Sequence, residues 1–168
     1  MKKDNTLLRL PSFETHNLKE KIAKREAKIG IVGLGYVGLP LAMEFIRAGF
    51  EVHGVDVNAG KVEGLNAGRS HVLDVPDSAV AGGVATGKFK AYTAYDIMSS
   101  VDCVSICVPT PLKKTRDPDI SYVTQAVQGV LPHLHKDMLV VLESTTYPGT
   151  TDEIVRSEIH SAFGSMPS

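Results

Sequence analysis

Apolar residues along this chain fall into two alternating patterns. Short apolar runs rich in β-branched residues are typical of strands buried on both faces of a parallel sheet. They occur at residues 28–32, 51–56, 89–93, 102–108 and 138–142. The segments between them carry apolar residues at helical spacing or short helix-forming stretches. This alternation predicts an α/β fold, a doubly wound parallel sheet of about five strands in the order 3-2-1-4-5, with helices on both faces.

The predicted helices carry start and stop signals. Pro40 falls in the first turn of the helix that follows the first strand, where a missing amide proton costs little, and Gly49 marks the expected end of that helix. Asn58 and Ser121 are each expected to cap the helix that follows them. A last helix is expected at about residues 152–162.

The first 26 residues are polar and charged, and they differ from the rest of the chain. Residues 1–26 are predicted to form an N-terminal arm and a lead-in surface helix, in which Glu20 and Lys24 are spaced to pair at i,i+4. A charged stretch of this kind is usually a solvated face, so we assign it no function. Residues 27–164 are predicted to form the main domain.

Three glycines stand between the first strand and its helix, with the spacing G-x-G-x-x-G. Gly33 would permit the tight turn, Gly35 would let a pyrophosphate approach the backbone, and Gly38 would let helix and strand pack closely. The free amides at the helix N-terminus would then receive the phosphate charge. The motif therefore predicts a Rossmann-like dinucleotide site.

An acidic residue ends the second predicted strand. Asp56 lies 18 residues after Gly38, close to the ~20 expected for a carboxylate that binds the adenosine ribose. A carboxylate here favours NAD over NADP, because it would repel a 2′-phosphate. The alternative is a purely structural unit in which Asp56 only caps the next helix. Lys61 could reach the ribose or a phosphate, or it could simply face solvent.

Two further segments lie where ligands bind in an open α/β sheet, beyond the carboxyl ends of strands. Thr110 follows the fourth predicted strand within Pro109–Pro111, and it is positioned to meet the cofactor or, alternatively, to bond only its own turn. A cluster of hydroxyl residues at 144–151 follows the fifth strand.

Composition narrows the function classes. The 168 residues are 43% hydrophobic and 22% charged with a net charge of −1, which gives no electrostatic case for nucleic acid or an anionic membrane as a partner. The sequence shows no apolar run of membrane-spanning length and no signal-peptide core, so the expected location is the cytoplasm. Cys103 and Cys107 are interpreted as core residues, and no metal site is predicted.

Three segments together resemble one family, the NAD-binding domain of the UDP-glucose/GDP-mannose dehydrogenases. They are GLGYVGLP at 33–40, VPTPL at 108–112 and ESTTYPGTT at 143–151. The lead-in to the glycines and the last segment look most like the UDP-N-acetylglucosamine and UDP-N-acetylmannosamine 6-dehydrogenases of bacterial polysaccharide synthesis. The resemblance covers about residues 18–155.

The resemblance implies roles for individual residues. Family members oxidise C6 of a nucleotide sugar from alcohol to carboxylate with two NAD, through a cysteine thiohemiacetal and thioester. By resemblance, Asp56 and Lys61 would hold the adenosine ribose, Thr110 would line the cofactor groove, and Thr145 would help position a catalytic water. The pyrophosphate loop would comprise Gly33, Gly35, Tyr36, Val37 and Gly38.

The chain also departs from the family pattern. The family's catalytic cysteine and its substrate domain have no counterpart here, and Cys103 and Cys107 do not match the nucleophile. We therefore expect a truncated chain that binds NAD but cannot oxidise a UDP-sugar alone. A homo-oligomer is possible by resemblance. The alternative functions are a stand-alone NAD-binding sensor or the cofactor domain of another two-domain dehydrogenase.

Overall fold

The structure is a computed structural model that describes residues 16–112, 118–144 and 149–163. All pairings among its five strands are parallel, and the sheet order is β3-β2-β1-β4-β5, which confirms the predicted topology. The strands are β1 (Lys28–Val32), β2 (Glu51–Val55), β3 (Phe89–Tyr92), β4 (Cys103–Ile106) and β5 (Leu139–Leu142).

Six α-helices and several shorter turns connect the strands in the described parts of the chain. The 3-10 turns Asp96–Ser100 and Leu131–His133 flank β4 and α5, and a π-helical turn, Thr151–Arg156, leads into the last helix. The helices are α1 (His16–Lys24), α2 (Gly38–Arg47), α3 (Ala59–Asn66), α4 (Asp77–Ala85), α5 (Ser121–Val130) and α6 (Ser157–Phe163).

Two apolar clusters cover the two faces of the sheet. Alternate residues of a strand point to opposite faces, so Ile31 belongs to the cluster formed with α2, α3 and α4, whereas Val32 belongs to the cluster formed with α5. At the centre, Ile31 of β1 pairs with Gly54 of β2 and with Ser105 of β4. The point between β1 and β4 is where the chain switches direction across the sheet, and ligands of such folds bind there.

Most predicted helix ends are confirmed, and one cap was wrong. The side chain of Asn58 accepts a hydrogen bond from the Lys61 amide and caps α3 as expected. Ser121 is instead the first residue of α5, and its own amide donates to the Asp119 carboxylate. The carboxylate two residues upstream satisfies the amide, so the helix begins at the serine.

Helix α1 is attached to the domain more closely than a solvated surface helix would be. Leu18 and Ile22 pack against the α2 side of the core. Lys21 Nζ donates to Asp102 Oδ1 at 2.5 Å, across 81 residues of sequence. The predicted arm before residue 16 lies outside the described residues.

Candidate cofactor-binding site

A groove of about 580 Å³ lies beyond the carboxyl ends of β1, β2, β4 and β5. Residues from all four strand ends contribute to it, because parallel strands bring their carboxyl ends to one edge of the sheet. Its walls include the glycine loop after β1, the segment after β2, and the first turns of α5. Its size lies within the usual range for pockets that bind small ligands.

The glycine loop has a backbone that only small residues permit. Gly33 has a φ of +90°, and a Cβ there would lie 2.8 Å from the Cys107 carbonyl oxygen. A Cβ on Gly38 would lie 1.8 Å from the Gly33 carbonyl oxygen, so Gly38 is buried behind the loop, where it lets α2 start close to β1. A Cβ on Gly35 would meet nothing within 4 Å. Gly35 therefore leaves open space on the groove side.

The start of α2 is open for an anion. Val37 occupies the N-cap position and offers no side-chain oxygen to the helix amides. Within the described residues, the first amide of this turn with a main-chain acceptor is that of Leu39, which donates to the Gly35 carbonyl at 3.0 Å. Tyr36 and Val37 line the groove and are 74% and 53% exposed. Amides placed in this way attract phosphate oxygens.

Asp56 joins the glycine loop to the end of β2. Its Oδ2 accepts from the Leu34 amide at 3.0 Å and its Oδ1 accepts from the Asn58 amide at 2.9 Å. The residue is buried yet lines the groove. Because a carboxylate oxygen can accept more than one hydrogen bond, each oxygen keeps capacity for a ligand hydroxyl.

Tyr95 forms a wall of the groove that sequence reasoning missed. A Cβ on Gly129 of α5 would lie 2.6 Å from the tyrosine ring, so the ring packs against the helix backbone at a glycine. Burial, and to a smaller extent the charge of Asp56, raise the pKa of Tyr95 above its ordinary value of 10.0. The phenol is therefore protonated at neutral pH and can donate a hydrogen bond.

The remaining predicted site residues are partly placed by the structure. Lys61 and Thr110 both line the groove and are half-buried. Thr145 lies outside the described residues. Cys107, which follows β4, is buried as expected but also reaches the groove wall, and burial raises the pKa of its thiol. A thiol of raised pKa is a poor nucleophile at neutral pH.

Four further groove residues were not predicted individually, although Glu143 and Ser144 begin the segment after β5 that was expected on the ligand side of the sheet. Tyr122 and Gln125 come from α5, and Glu143 and Ser144 follow β5. Ser144 Oγ donates to the Val108 carbonyl at 2.7 Å and ties the ends of β4 and β5 together. In the described parts of the chain, no group of three or more histidine, cysteine, aspartate or glutamate residues could hold a metal ion. None of the helices described has the length and apolar character that a membrane crossing requires.

Comparison with known proteins decides the family. The sequence model of the UDP-glucose/GDP-mannose dehydrogenase family, NAD binding domain, matches residues 27–165. The chain belongs to this family. It contains the NAD-binding domain, and NAD is the family's cofactor at this domain.

Relatives in this dehydrogenase family share about a third of the residues. The chain is 34% identical over 130 residues to the UDP-N-acetyl-D-mannosamine dehydrogenase of Pyrococcus horikoshii and covers 31% of that protein. It is 39% identical over 130 residues to the enzyme of the same name from Escherichia coli K12 and covers 30% of it. These alignments span 77% and 76% of the present chain. The chain thus spans about three-tenths of the length of these curated relatives.

Solved structures of the family agree with the fold. The UDP-D-ManNAc dehydrogenase from Pyrococcus horikoshii superposes with a TM-score of 0.78 at 32% identity, over 84% of this chain and 34% of the other. A ternary complex of GDP-mannose dehydrogenase from Pseudomonas aeruginosa gives a TM-score of 0.76 at 32% identity, over 82% and 33%.

The groove residues fit the cofactor of this dehydrogenase family. The open space at Gly35 is one that a Cβ would fill, and the helix start beside it offers amides suited to a pyrophosphate. Asp56 presents carboxylate oxygens to the same groove from the end of β2. These are the two features expected of a dinucleotide site and not of a structural glycine bend.

Proposed function

We propose that the groove binds NAD with the pyrophosphate at the glycine loop and the adenosine ribose at Asp56. Gly33, Gly35, Tyr36, Val37 and Gly38 would form the loop, Gly33 and Gly38 by shaping it and the others by facing the ligand. The observation that carries the proposal is the bonding of Asp56, which holds the loop through Leu34 while its oxygens line the groove. Lys61 and Thr110 would contact the ribose and the cofactor groove, respectively.

We propose NAD rather than NADP as the ligand. Asp56 accepts from two backbone amides, and no basic side chain among the described residues forms an ion pair with it. An unneutralised carboxylate attracts ribose hydroxyls and repels a 2′-phosphate.

For a protein with the full length of these relatives, we propose NAD-dependent oxidation of a UDP-sugar at C6. Relatives named UDP-N-acetyl-D-mannosamine dehydrogenase support a UDP-N-acetylhexosamine as the substrate. NAD would supply the hydride acceptor, and Thr145 would help to position water. We further propose a cytoplasmic role in polysaccharide synthesis, with a homo-oligomer as the working form.

In the 168-residue chain, we propose cofactor binding without substrate oxidation. Residues 27–164 would act as the cofactor domain, and residues 1–26 as its arm and lead-in helix. Neither Cys103 nor Cys107 would supply the nucleophile that the family resemblance implies, because both side chains are buried in the core and burial raises the pKa of both thiols.

Two glycine variants test the site directly. Gly35→Ala adds a methyl where the structure has open space, so the fold should tolerate it, but the methyl would occupy the position where the pyrophosphate approaches. We expect NAD affinity, measured by calorimetric titration of the 168-residue chain, to fall by about tenfold or more, a loss of ~1.4 kcal/mol.

Gly82→Ala is the matched control. A Cβ on Gly82 also meets nothing within 4 Å, but Gly82 lies in α4 and is not part of the groove. It should leave NAD affinity unchanged and stabilise the helix by about 0.5–1 kcal/mol. Equal NAD affinity in the Gly35→Ala variant and the wild type would contradict the proposed pyrophosphate position.

A further inference from the structure

The loop between α3 and α4 is fixed by its own contacts. Val72 and Val75 are buried in the core on the α2 side of the sheet. The Ser70 amide donates to Asp77 Oδ1 at 2.7 Å, and Ser70 Oγ donates to the Val72 carbonyl at 3.0 Å. These contacts hold the backbone of the loop on both sides of His71, at Ser70 and at Val72.

The side chain of His71 reaches from the α3–α4 loop to the glycine loop. Its Nε2 lies 2.8 Å from the Leu34 carbonyl oxygen, 37 residues away in sequence. A carbonyl oxygen can only accept, so the histidine must carry its hydrogen on Nε2 and donate it.

Leu34, the residue between Gly33 and Gly35, is held from three directions. Its amide donates to Asp56 Oδ2 at 3.0 Å, and its carbonyl accepts from His71. Its side chain is fully buried, and a Cβ on Gly54 would lie 2.6 Å from its Cδ2. His71 is the side chain that holds the Leu34 carbonyl, and it thereby helps to set the plane of the following peptide.

The peptide that His71 holds includes the Gly35 amide. In a trans peptide the carbonyl and the next amide point in opposite directions, and the described chain has no cis peptide bond. The Leu34 carbonyl is directed at His71, so the Gly35 N–H points away from it. Gly35 itself lines the groove.

We propose that His71 is a positioning residue for cofactor binding, which sets the direction of the Gly35 amide before the ligand arrives. The inference rests on the proposed function of the groove. His71 touches neither ligand nor reacting atoms in this role. It acts through the Leu34–Gly35 peptide, and it reduces the ordering that binding would otherwise require.

Three variants of the 168-residue chain test this role. His71→Ala removes the donor, and we expect NAD affinity to fall about threefold to tenfold, the value of one hydrogen bond. His71→Gln keeps an N–H donor on a side chain of similar reach, and we expect it to recover most of the affinity.

His135→Ala is the matched control. His135 Nε2 also donates to a carbonyl oxygen, that of Val101, at 2.9 Å and across 34 residues of sequence. Val101 precedes β4 and therefore lies at the amino ends of the strands, whereas the groove lies beyond their carboxyl ends. Loss of this bond should leave NAD affinity unchanged.

The amide resonances of the ligand-free chain separate a local change at Gly35 from a general loss of stability. In His71→Ala the ¹H–¹⁵N resonance of Gly35 should shift while the β-strand resonances stay in place, and in His71→Gln it should return toward the wild-type position. If the wild type binds NAD and His71→Ala binds it equally well, the positioning role is wrong. If His71→Ala fails to fold, a folded His71→Gln that binds as weakly as Gly35→Ala also overturns it. A wild type that binds no NAD would instead refute the proposed function.

Discussion

Two aspartates lie at opposite ends of the parallel strands, and they differ in the groups that they bind. Asp102 precedes β4, and Asp56 follows β2. Each carboxylate accepts a hydrogen bond from a backbone amide in or just after β1, Asp102 from Lys28 at 2.9 Å and Asp56 from Leu34 at 3.0 Å. Both are largely buried. They differ in their second partner.

The second partner of Asp102 is a cation. Lys21 of α1 donates to its other oxygen, so the charge is matched within the fold. The second partner of Asp56 is another amide, that of Asn58. A carboxylate that the protein neutralises holds the structure together, whereas one that it leaves negative and open to a groove can also hold a ligand. Partner charge, more than burial, therefore separates the structural role of Asp102 from the ligand-binding role that we propose for Asp56.

The largest expected effect on stability comes from Asp102→Ala. The change leaves the Lys28 amide and Lys21 without their carboxylate and removes the side-chain hydrogen bond between α1 and the residue before β4. We expect the free energy of unfolding to fall by about 1–2 kcal/mol in urea titrations, while NAD affinity of the folded chain is unchanged.

Glu20→Ala is the control for Asp102→Ala, because it breaks a different ion pair on the same helix. The Glu20–Lys24 contact is 3.9 Å long between side chains that are 70% and 61% exposed, so its loss should have little effect on stability. A similar effect of the two variants would mean that Asp102 is no special anchor.

A smaller effect should appear in the pH dependence of stability. Burial alone would raise the pKa of Asp102, but the hydrogen bonds from Lys21 and the Lys28 amide outweigh it and hold the pKa below its ordinary value of 3.8. A carboxyl with a lowered folded pKa stabilises the fold above its unfolded pKa and loses that contribution as pH falls through the folded value. The difference in unfolding free energy between wild type and Asp102→Ala should therefore be constant above about pH 5 and shrink below 3.8. A difference independent of pH would show that the carboxylate charge does not matter.

The sequence predicted the β1–α2–β2 unit well because its signals are local. The apolar run of β1, the three glycines and the acid after β2 all act through neighbours within the unit, and the structure places them as expected. Asn58 was predicted as a cap for the same reason. The cap predicted at Ser121 was wrong: Ser121 is the first residue of α5, and its amide donates to the Asp119 carboxylate.

The rest of the site depends on contacts that no local pattern records. His71 meets Leu34 across 37 residues, and Tyr95 takes its place because Gly129 of α5 leaves room for the ring. Helix α1 was predicted as a solvated surface because charged residues outnumber its two inward apolar residues, Leu18 and Ile22. One of those charged residues, Lys21, has its partner 81 residues away in sequence. Such pairs become visible only when the sheet has brought the segments together.

The most direct test of the account is the ratio of NAD to NADP affinity in wild type, Asp56→Asn and Asp102→Asn, measured by calorimetric titration. The amide in Asp56→Asn keeps one acceptor oxygen but removes the charge that would repel a 2′-phosphate. We predict that the wild type binds NAD at least about tenfold more tightly than NADP, a difference of ~1.4 kcal/mol. The preference should shrink in Asp56→Asn and persist in Asp102→Asn. A wild type that binds NADP as tightly as NAD, or a preference that Asp56→Asn leaves intact, would contradict the role of the Asp56 carboxylate at the ribose.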